Sequence, residues 1–179
     1  GRCNPRFHSD GGAARDALVE VIEGAQERID VCTFIIGDDA LGHDVINRLS
    51  RRAREGIAVR VLLDGFGALS LPRSHFDALR EAGAEVAVFR PIFSLRRTGP
   101  RNLRNHRKLT IADDSRLWSG GRNLAGEYFT GNDAHPSPWR DLSFDLQGSV
   151  AAAAARQFDH DWASVRKRKP RAISAEDDP

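Results

Sequence analysis

The chain has 179 residues, of which 40% are apolar and 29% charged, and its formal net charge is +2. This length suits one domain with a well-buried core, and so small a net charge does not by itself indicate a nucleic-acid or membrane partner. No apolar run approaches the roughly 20 residues that span a bilayer, and no signal-peptide pattern is present. We therefore expect a protein that is cytoplasmic or peripheral at the membrane. Methionine is absent, even from position 1, so we also expect a piece of a longer protein.

The two cysteines give no support to a metal or redox site. Cys3 and Cys32 form no C-x-x-C pair, and neither has a histidine beside it at metal-ligand spacing. Cys32 lies within an apolar run and is predicted to be a small buried side chain.

The first half of the chain alternates predicted helices and strands. Leu18, Ile22, Ala25 and Ile29 recur at helical spacing, whereas IDVCTFII is a short β-branched run typical of a buried strand. The same criteria predict helices over 12–28, 39–56 and 72–83, and strands over 29–36, 57–64 and 84–89. Asp39 could cap the second of these helices. Such alternation favours a parallel sheet covered on both faces.

The second half lacks room for helices between its strands. RKLTIAD, RLWS and DLSFDLQG follow one another closely, and a last helix begins near Ser149, which could cap it. This half of the sheet should therefore be antiparallel or mixed. The sequence predicts an α/β fold, an α/β/α sandwich with a mixed, mainly parallel central sheet. One domain should occupy residues 1–165, followed by a basic-then-acidic linker or disordered tail over 166–179.

Functional side chains concentrate in NHRKLTIADDSRLWSGGRN, residues 105–123. Because side chains alternate along a strand, His106, Lys108 and Thr110 should share one face. Asp113 has the opposite parity, so we expect it to hold the backbone or pair with a basic residue rather than act as a base.

A glycine pair follows the next predicted strand. Gly120 and Gly121 allow a tight turn that can bring the Asn123 amide to the face of His106 and Lys108. Only three of the 27 basic residues are lysines, and seven basic residues but no acidic ones lie between Val86 and Ala112. An imidazole, an ammonium and an amide in a positive field suit an oxyanion, above all a phosphate.

The combined pattern H-x-K-x4-D followed by G-G-x-N resembles the signature of the phospholipase D superfamily. Its positions are His106, Lys108, Asp113, Gly120, Gly121 and Asn123. ERIDVCTFIIGDDALG, GIAVRVLLDGFGA and WRDLSFDLQG also resemble the amino-terminal half of cardiolipin synthase-type members, so that the likeness runs from Phe7 to Val165.

The resemblance implies phosphodiester transfer or hydrolysis without a metal or another cofactor. His106 would form a phosphohistidine, while Lys108 and Asn123 would hold the non-bridging oxygens. Asp141 would orient the imidazole through its other nitrogen. Asp113, Gly120 and Gly121 would support this arrangement.

The number of motifs departs from the family pattern, in which two motifs build one site and the second histidine serves as acid and then base. None of the other five histidines has a lysine two places on. The second H-x-K half should come from a missing part of the chain or from a second copy.

Three functions remain open at this point. The favoured one is half of a two-motif phosphatidyltransferase or phospholipase D acting on a phospholipid headgroup or another phosphodiester. The second is a single-motif nuclease or phosphodiesterase active as a homodimer, although nucleic acid is the less favoured partner. The third is a non-catalytic phosphate-binding domain. The basic run 166–171 is compatible with peripheral membrane contact, and a solvated linker is the simpler interpretation.

Overall fold

The computed structural model describes residues 4–89 and 104–166. The strands are β1 Arg6–His8, β2 Arg28–Thr33, β3 Ala58–Asp64, β4 Glu85–Phe89, β5 Leu109–Ala112, β6 Arg116–Gly120 and β7 Ser143–Gln147. The helices are α1 Gly11–Gly24, α2 Ala40–Arg54, α3 Arg73–Glu81 and α4 Ser149–Arg166. Two 3-10 turns cover Gly67–Leu69 and Gly126–Tyr128.

The seven strands form one sheet in the order β1-β7-β6-β5-β2-β3-β4. The predicted α/β/α sandwich with a mixed sheet is confirmed, but the sheet is not mainly parallel. Among the described strands only β2–β3 and β3–β4 pair in parallel, and the other four pairings are antiparallel. The short turn between β5 and β6 permits only antiparallel pairing, because a parallel pair needs a crossover of a dozen or more residues. β6 and β7 are also antiparallel, although the long segment 121–142 separates them.

Helices cover both faces of the sheet. α1, α2 and α3 bury Leu18, Leu49 and Leu79 on one face, together with the strand residues Ile29 and Val61. α4 covers the other face with an alanine-rich stripe that includes Phe158 and Trp162 and packs on Cys32 and Ile111. The predicted burial of Cys32 is confirmed, since its exposed fraction is 2%.

Side-chain caps fix the starts of two helices. A carboxylate oxygen of Asp10 accepts the Ala13 amide at 2.8 Å at the start of α1, and Asp39 accepts the Gly42 amide at 2.9 Å at the start of α2. Such caps satisfy amides that have no partner within the helix. The predicted helix between Asp39 and Gly56 is thereby confirmed as α2, with Asp39 as its cap.

Residues 167–179, which include most of the predicted tail, are outside the described ranges, and Arg166 is the last residue of α4. The division into a domain over 1–165 and a tail stays a prediction. In the described part of the chain, no helix is both long and apolar enough to cross a membrane.

Candidate active site

The strand directions bring the predicted site to one edge of the sheet. β2 ends at this edge, and β5, which runs antiparallel to it, begins there with Cys32 opposite Leu109. β6 ends at the same edge and β7 begins there, with Gly120 opposite Ser143. The residues before β5, after β6 and before β7 therefore lie near one another although they are far apart in sequence.

His106 and Lys108 lie immediately before β5 rather than inside it. The predicted strand over RKLTIAD is shorter in the structure and begins at Leu109. His106 is exposed, and its imidazole stacks on the ring of Phe34 with centroids 4.3 Å apart and planes inclined by 24°. The ring thus supports the imidazole from one side and leaves it open to a ligand.

Lys108 contacts the same aromatic ring. Its Nζ lies 5.7 Å from the centroid of Phe34 and donates a hydrogen bond to the His106 carbonyl at 2.9 Å. Partial burial lowers the pKa of the Lys108 ammonium, and the nearby carboxylate of Asp141 opposes that shift. The cation is therefore partly desolvated, which strengthens its interaction with an anion.

Asn123 reaches this group from the end of β6. Its side chain is buried, and its Oδ1 accepts the Ile35 amide at 3.3 Å. Since Ile35 follows Phe34, one dipeptide at the end of β2 contacts His106, Lys108 and Asn123. The bond to Oδ1 leaves the NH₂ end of the Asn123 amide as its hydrogen-bond donor.

The glycine pair allows close approach between β6 and the segment before β7. Gly120 has a φ of 146°, and a Cβ there would meet the Leu142 carbonyl oxygen at 2.3 Å. A Cβ at Gly121 would lie 2.2 Å from a carboxylate oxygen of Asp141. The two glycines therefore let Asp141 pack directly against the turn that carries Asn123.

Asp141 lies beside the site, but its carboxylate accepts the Leu142 amide at 2.7 Å. No hydrogen bond between Asp141 and His106 is found among the described residues. The negative charge of Asp141 nevertheless raises the pKa of Lys108 against the effect of burial. An orienting role for Asp141 stays a prediction, and catalytic hydrogen bonds often tighten only when substrate binds.

Asp113 lies at the opposite end of β5, in the turn to β6. Its carboxylate accepts the amides of Gln26, Glu27 and Arg28 at 2.8, 2.8 and 2.9 Å, which ties this turn to the start of β2. Burial alone would raise the pKa of Asp113, but the three backbone hydrogen bonds lower it. Asp113 and Asp114 have φ values of 51° and 54°, as a tight hairpin requires.

A buried polar network fixes the segment that carries His106. Asp64 accepts the Asn105 amide at 3.0 Å, and the Asn105 side chain donates to Asp161 at 3.2 Å. Arg107 also donates to Asp161, at 2.6 Å. Asn105, Asp64 and Asp161 are all buried, so the residues on both sides of His106 are anchored while its imidazole is exposed.

Sequence reasoning missed Phe34 and this network. Phe34 was included in the predicted strand 29–36, whereas β2 ends at Thr33, where the Thr33 hydroxyl donates to the Ile35 carbonyl at 3.1 Å. A signal for Asp64 was present, since an acidic residue ends the apolar run 57–64 at the carboxyl edge of a predicted parallel strand. Asp161 lies on α4, and no local pattern could connect it with Asn105.

Part of the predicted positive field lies outside the described residues. Arg90, Arg96, Arg97 and Arg101 fall within 90–103, and only the last three basic residues of the set are described. Of those, Lys108 is the one placed on the Phe34 ring.

Solved structures share this fold. NucT from Helicobacter pylori superposes with a TM-score of 0.67 at 15% identity, covering 92% of this chain and 98% of that chain. Phosphatidylserine synthase from Haemophilus influenzae Rd KW20 superposes with a TM-score of 0.68 at 16% identity, covering 87% of this chain and 36% of that chain. At these identities the likeness establishes the fold alone.

The family follows from the sequence comparison. The family model described as "Cardiolipin synthase, PLD-like domain" matches residues 18–162. Cardiolipin synthase A of Pseudomonas entomophila (strain L48) is 37% identical over 161 residues, which is 90% of this chain and 33% of that protein. The chain belongs to this cardiolipin synthase family of phospholipase D-like domains, and it spans about a third of the length of the curated relatives it matches.

Proposed function

We propose that this chain supplies one half of a two-motif active site that transfers or hydrolyses phosphodiesters of phospholipids, with His106 as the nucleophile. The observation that carries the proposal is the exposed His106 imidazole, stacked on Phe34 beside a half-buried Lys108. A nucleophile needs an accessible nitrogen, and a phosphate needs a cation next to it. The exposed imidazole of His106 and the ammonium of Lys108, at one edge of the sheet, support both requirements.

The proposed reaction has two displacements. A His106 ring nitrogen attacks phosphorus as the bond to the leaving alcohol breaks, which gives a phosphohistidine and an alcohol that takes up a proton. An incoming alcohol or water then attacks phosphorus, loses its proton and releases His106. One hard displacement is thereby divided into two easier ones.

Lys108 and Asn123 would stabilise the charge that builds on the non-bridging oxygens. The ammonium is a compact charge and the Asn123 amide is preorganised by the Ile35 amide. Donors that are fixed before the reaction need no reorganisation in the transition state. Lysine suits this position because a planar guanidinium would present a wider, forked set of donors.

In this proposal, the two proton transfers need an acid–base group that this half of the active site does not supply. A second histidine would protonate the leaving alcohol and then deprotonate the incoming one. The matched relatives are about three times as long as the matched segment, which supports a second half elsewhere in a longer protein. A second copy of this chain is the alternative source.

Phospholipid is the proposed substrate class because the family is that of cardiolipin synthases. Whether the acceptor is a headgroup alcohol or water depends on the second half of the site. Contact with the membrane surface would then be peripheral.

The test uses the complete gene product and its His106→Ala variant, assayed on phosphatidylglycerol and on an aryl phosphodiester. We expect turnover to fall at least about a thousandfold, as loss of a nucleophile does. His160→Ala is the matched control, because the His160 side chain is 80% exposed on α4, and it should keep full activity. Full turnover by the His106→Ala protein on both substrates would exclude the proposed nucleophile.

Three further measurements distinguish the proposed enzyme from its alternatives. Quenching the wild-type reaction should trap an acid-labile phosphohistidine that the His106→Ala protein does not form. Sedimentation of the 179-residue chain tests the source of the second half, and a stable, active dimer would favour the single-motif alternative. If the complete protein bound inorganic phosphate but turned over neither substrate, a non-catalytic phosphate-binding domain would be indicated instead.

A further inference from the structure

Three potential metal ligands outside the His106 group converge near the starts of α2 and α3. Asp38 lies in the loop before α2, His43 in α2 and His75 in α3. The Nε2 atom of His43 is 2.8 Å from Asp38 Oδ1, and the Nε2 atom of His75 is 3.3 Å from the same oxygen. One ligand atom from each residue lies within 4.8 Å of the other two.

The spacing of these atoms suits a small divalent ion. Ligands bound to tetrahedral zinc at about 2.0 to 2.1 Å stand roughly 3.3 Å from one another. Two of the three separations, 2.8 and 3.3 Å, are already near that value. The imidazole rings have centroids 4.7 Å apart, so small side-chain rotations suffice to surround an ion.

The chemistry of the ligands selects the kind of ion. Two imidazoles and one carboxylate favour zinc and similar transition metals over magnesium or calcium, which prefer sites made of oxygen atoms. Three protein ligands leave a coordination position for water. All three side chains are partly exposed, so an ion from solvent can reach them.

The backbone beneath the cluster is held firmly. Asp39, next to Asp38, caps α2 and also accepts the Gly126 amide at 2.7 Å. A Cβ at Gly42 would lie 1.9 Å from the Gly37 carbonyl oxygen, so the loop and the first turn of α2 are in close contact. This packing presents Asp38 and His43 together before any ion binds.

We propose that Asp38, His43 and His75 bind one divalent transition-metal ion of the zinc class, with water completing its coordination. Each imidazole offers an unprotonated Nε2 to the ion, so any Nε2 proton now shared with Asp38 moves to Nδ1 or leaves to solvent. The ion joins α2, α3 and the loop before α2. It takes no part in the chemistry proposed for His106 and does not depend on it.

Sequence spacing could not reveal this cluster, and metal binding was not predicted. His43 and His75 lie on different helices, and no short ligand motif contains both. The parallel connections through β3 bring the two helices side by side.

The test titrates the chelator-treated 179-residue chain with Zn²⁺ by calorimetry and with Co²⁺ by its visible absorption. We expect one saturable Zn²⁺ per chain and the intense absorption of tetrahedral Co²⁺. His43→Gln and His75→Gln should each bind at least about tenfold more weakly, since even indirect partners of a metal ligand are worth that much. His160→Gln, at the highly exposed position on α4, should bind like the wild type.

Thermal unfolding provides a second readout. Zn²⁺ should raise the melting temperature of the wild type and of His160→Gln but not that of His43→Gln or His75→Gln, because only an ion bound to the folded state stabilises it. Mg²⁺ should have no such effect. Melting in chelator confirms that each variant is folded. Absence of saturable Zn²⁺ binding, or equal affinity in all the variants, would overturn the proposal.

Discussion

The antiparallel and parallel halves of the sheet contribute different things to the candidate site. The antiparallel half, β5 to β7, carries the residues proposed to touch phosphate: His106 and Lys108 before β5 and Asn123 after β6. The parallel half, β2 to β4, carries their supports, Phe34 after β2 and Asp64 at the end of β3. β2 joins the two halves because it pairs with both β3 and β5.

This difference teaches that the motif alone does not build the site. His106 and Lys108 have no regular strand around them, and their positions depend on the Phe34 ring and on the Asp64–Asn105 hydrogen bond. Substitutions in the parallel half should therefore impair phosphate binding without touching a motif residue.

The largest expected effect on stability is at Asp64, whose carboxylate accepts the amides of Phe66 and Asn105 at 2.8 and 3.0 Å. Asp64→Asn replaces one acceptor oxygen with an NH₂ donor, so one buried amide loses its partner. We expect the free energy of unfolding to fall by about 1 to 3 kcal/mol. Urea unfolding measures this change, and the affinity for inorganic phosphate should fall as the His106 segment loosens.

The matched control is Asp77→Asn on α3, where the side chain is 63% exposed. That change should alter stability by no more than about 0.5 kcal/mol. If Asp64→Asn kept wild-type stability and phosphate affinity, the parallel half would not support the motif through Asn105.

The next largest effect is a loss of turnover, expected from a change at Phe34. Phe34→Leu removes the ring that supports His106 and Lys108, and an aromatic stacking interaction is worth about 0.5 to 1.5 kcal/mol. Turnover by the complete protein should fall roughly two- to tenfold, because the same energy is lost from positioning the nucleophile.

Phe66→Leu serves as the comparison for Phe34→Leu. Phe66 is 59% exposed and stacks on Phe34 with ring centroids 6.2 Å apart. It should change turnover much less than Phe34→Leu does. Equal losses in the two variants would indicate a general disturbance of the loop rather than support of His106.

A smaller effect is expected on the affinity for phosphate, which should depend on pH through Lys108. Its pKa is lowered by burial, so the ammonium loses its proton at a lower pH than an ordinary lysine does. Phosphate affinity should therefore decline as pH rises on the alkaline side of neutrality. Lys108→Arg should bind phosphate more weakly at neutral pH but keep that affinity to higher pH, because a guanidinium stays protonated.

Calorimetric titration with inorganic phosphate across a pH series measures this difference. The series is run well above the second pKa of inorganic phosphate, where the ion is almost entirely divalent, so the decline belongs to the protein. A parallel decline in wild type and Lys108→Arg would show that another group is responsible.

The smallest effect concerns the chemical reactivity of the Cys32 thiol, which lies on β2, the strand that joins the two halves of the sheet. Burial raises the pKa of the Cys32 thiol to about 12, and thiolate is the reactive form. In a Cys3→Ser background, a thiol reagent should leave the native chain almost unlabelled and react readily in urea. Rapid labelling of the native chain would show that α4, which packs on Cys32, detaches often from the sheet.

Local patterns were enough to predict most elements of the fold. Helical spacing up to Gly56 and the cap at Asp39 correctly predicted α2, and short β-branched runs located β2 to β4. β1 was missed because RFH is too short to show alternation. The mainly parallel sheet was wrong because β5, β6 and β7 all add antiparallel pairs. Only the short turn between β5 and β6 dictates such a pair locally; the others join strands far apart in sequence, so no local pattern gives their direction.

The sequence by itself determined the family, the α/β class and the chemical identities of the proposed phosphate ligands. The family and the ligand chemistry depend on residue types at short, fixed spacings. The α/β class follows from the period of the apolar residues, which differs between helices and strands. Only the tertiary structure decided what surrounds those residues: the Phe34 ring, the buried partners of Asn105, and the convergence of Asp38, His43 and His75. Those contacts join elements that are distant along the chain, and the local periodicity of the sequence does not show which elements will be in contact.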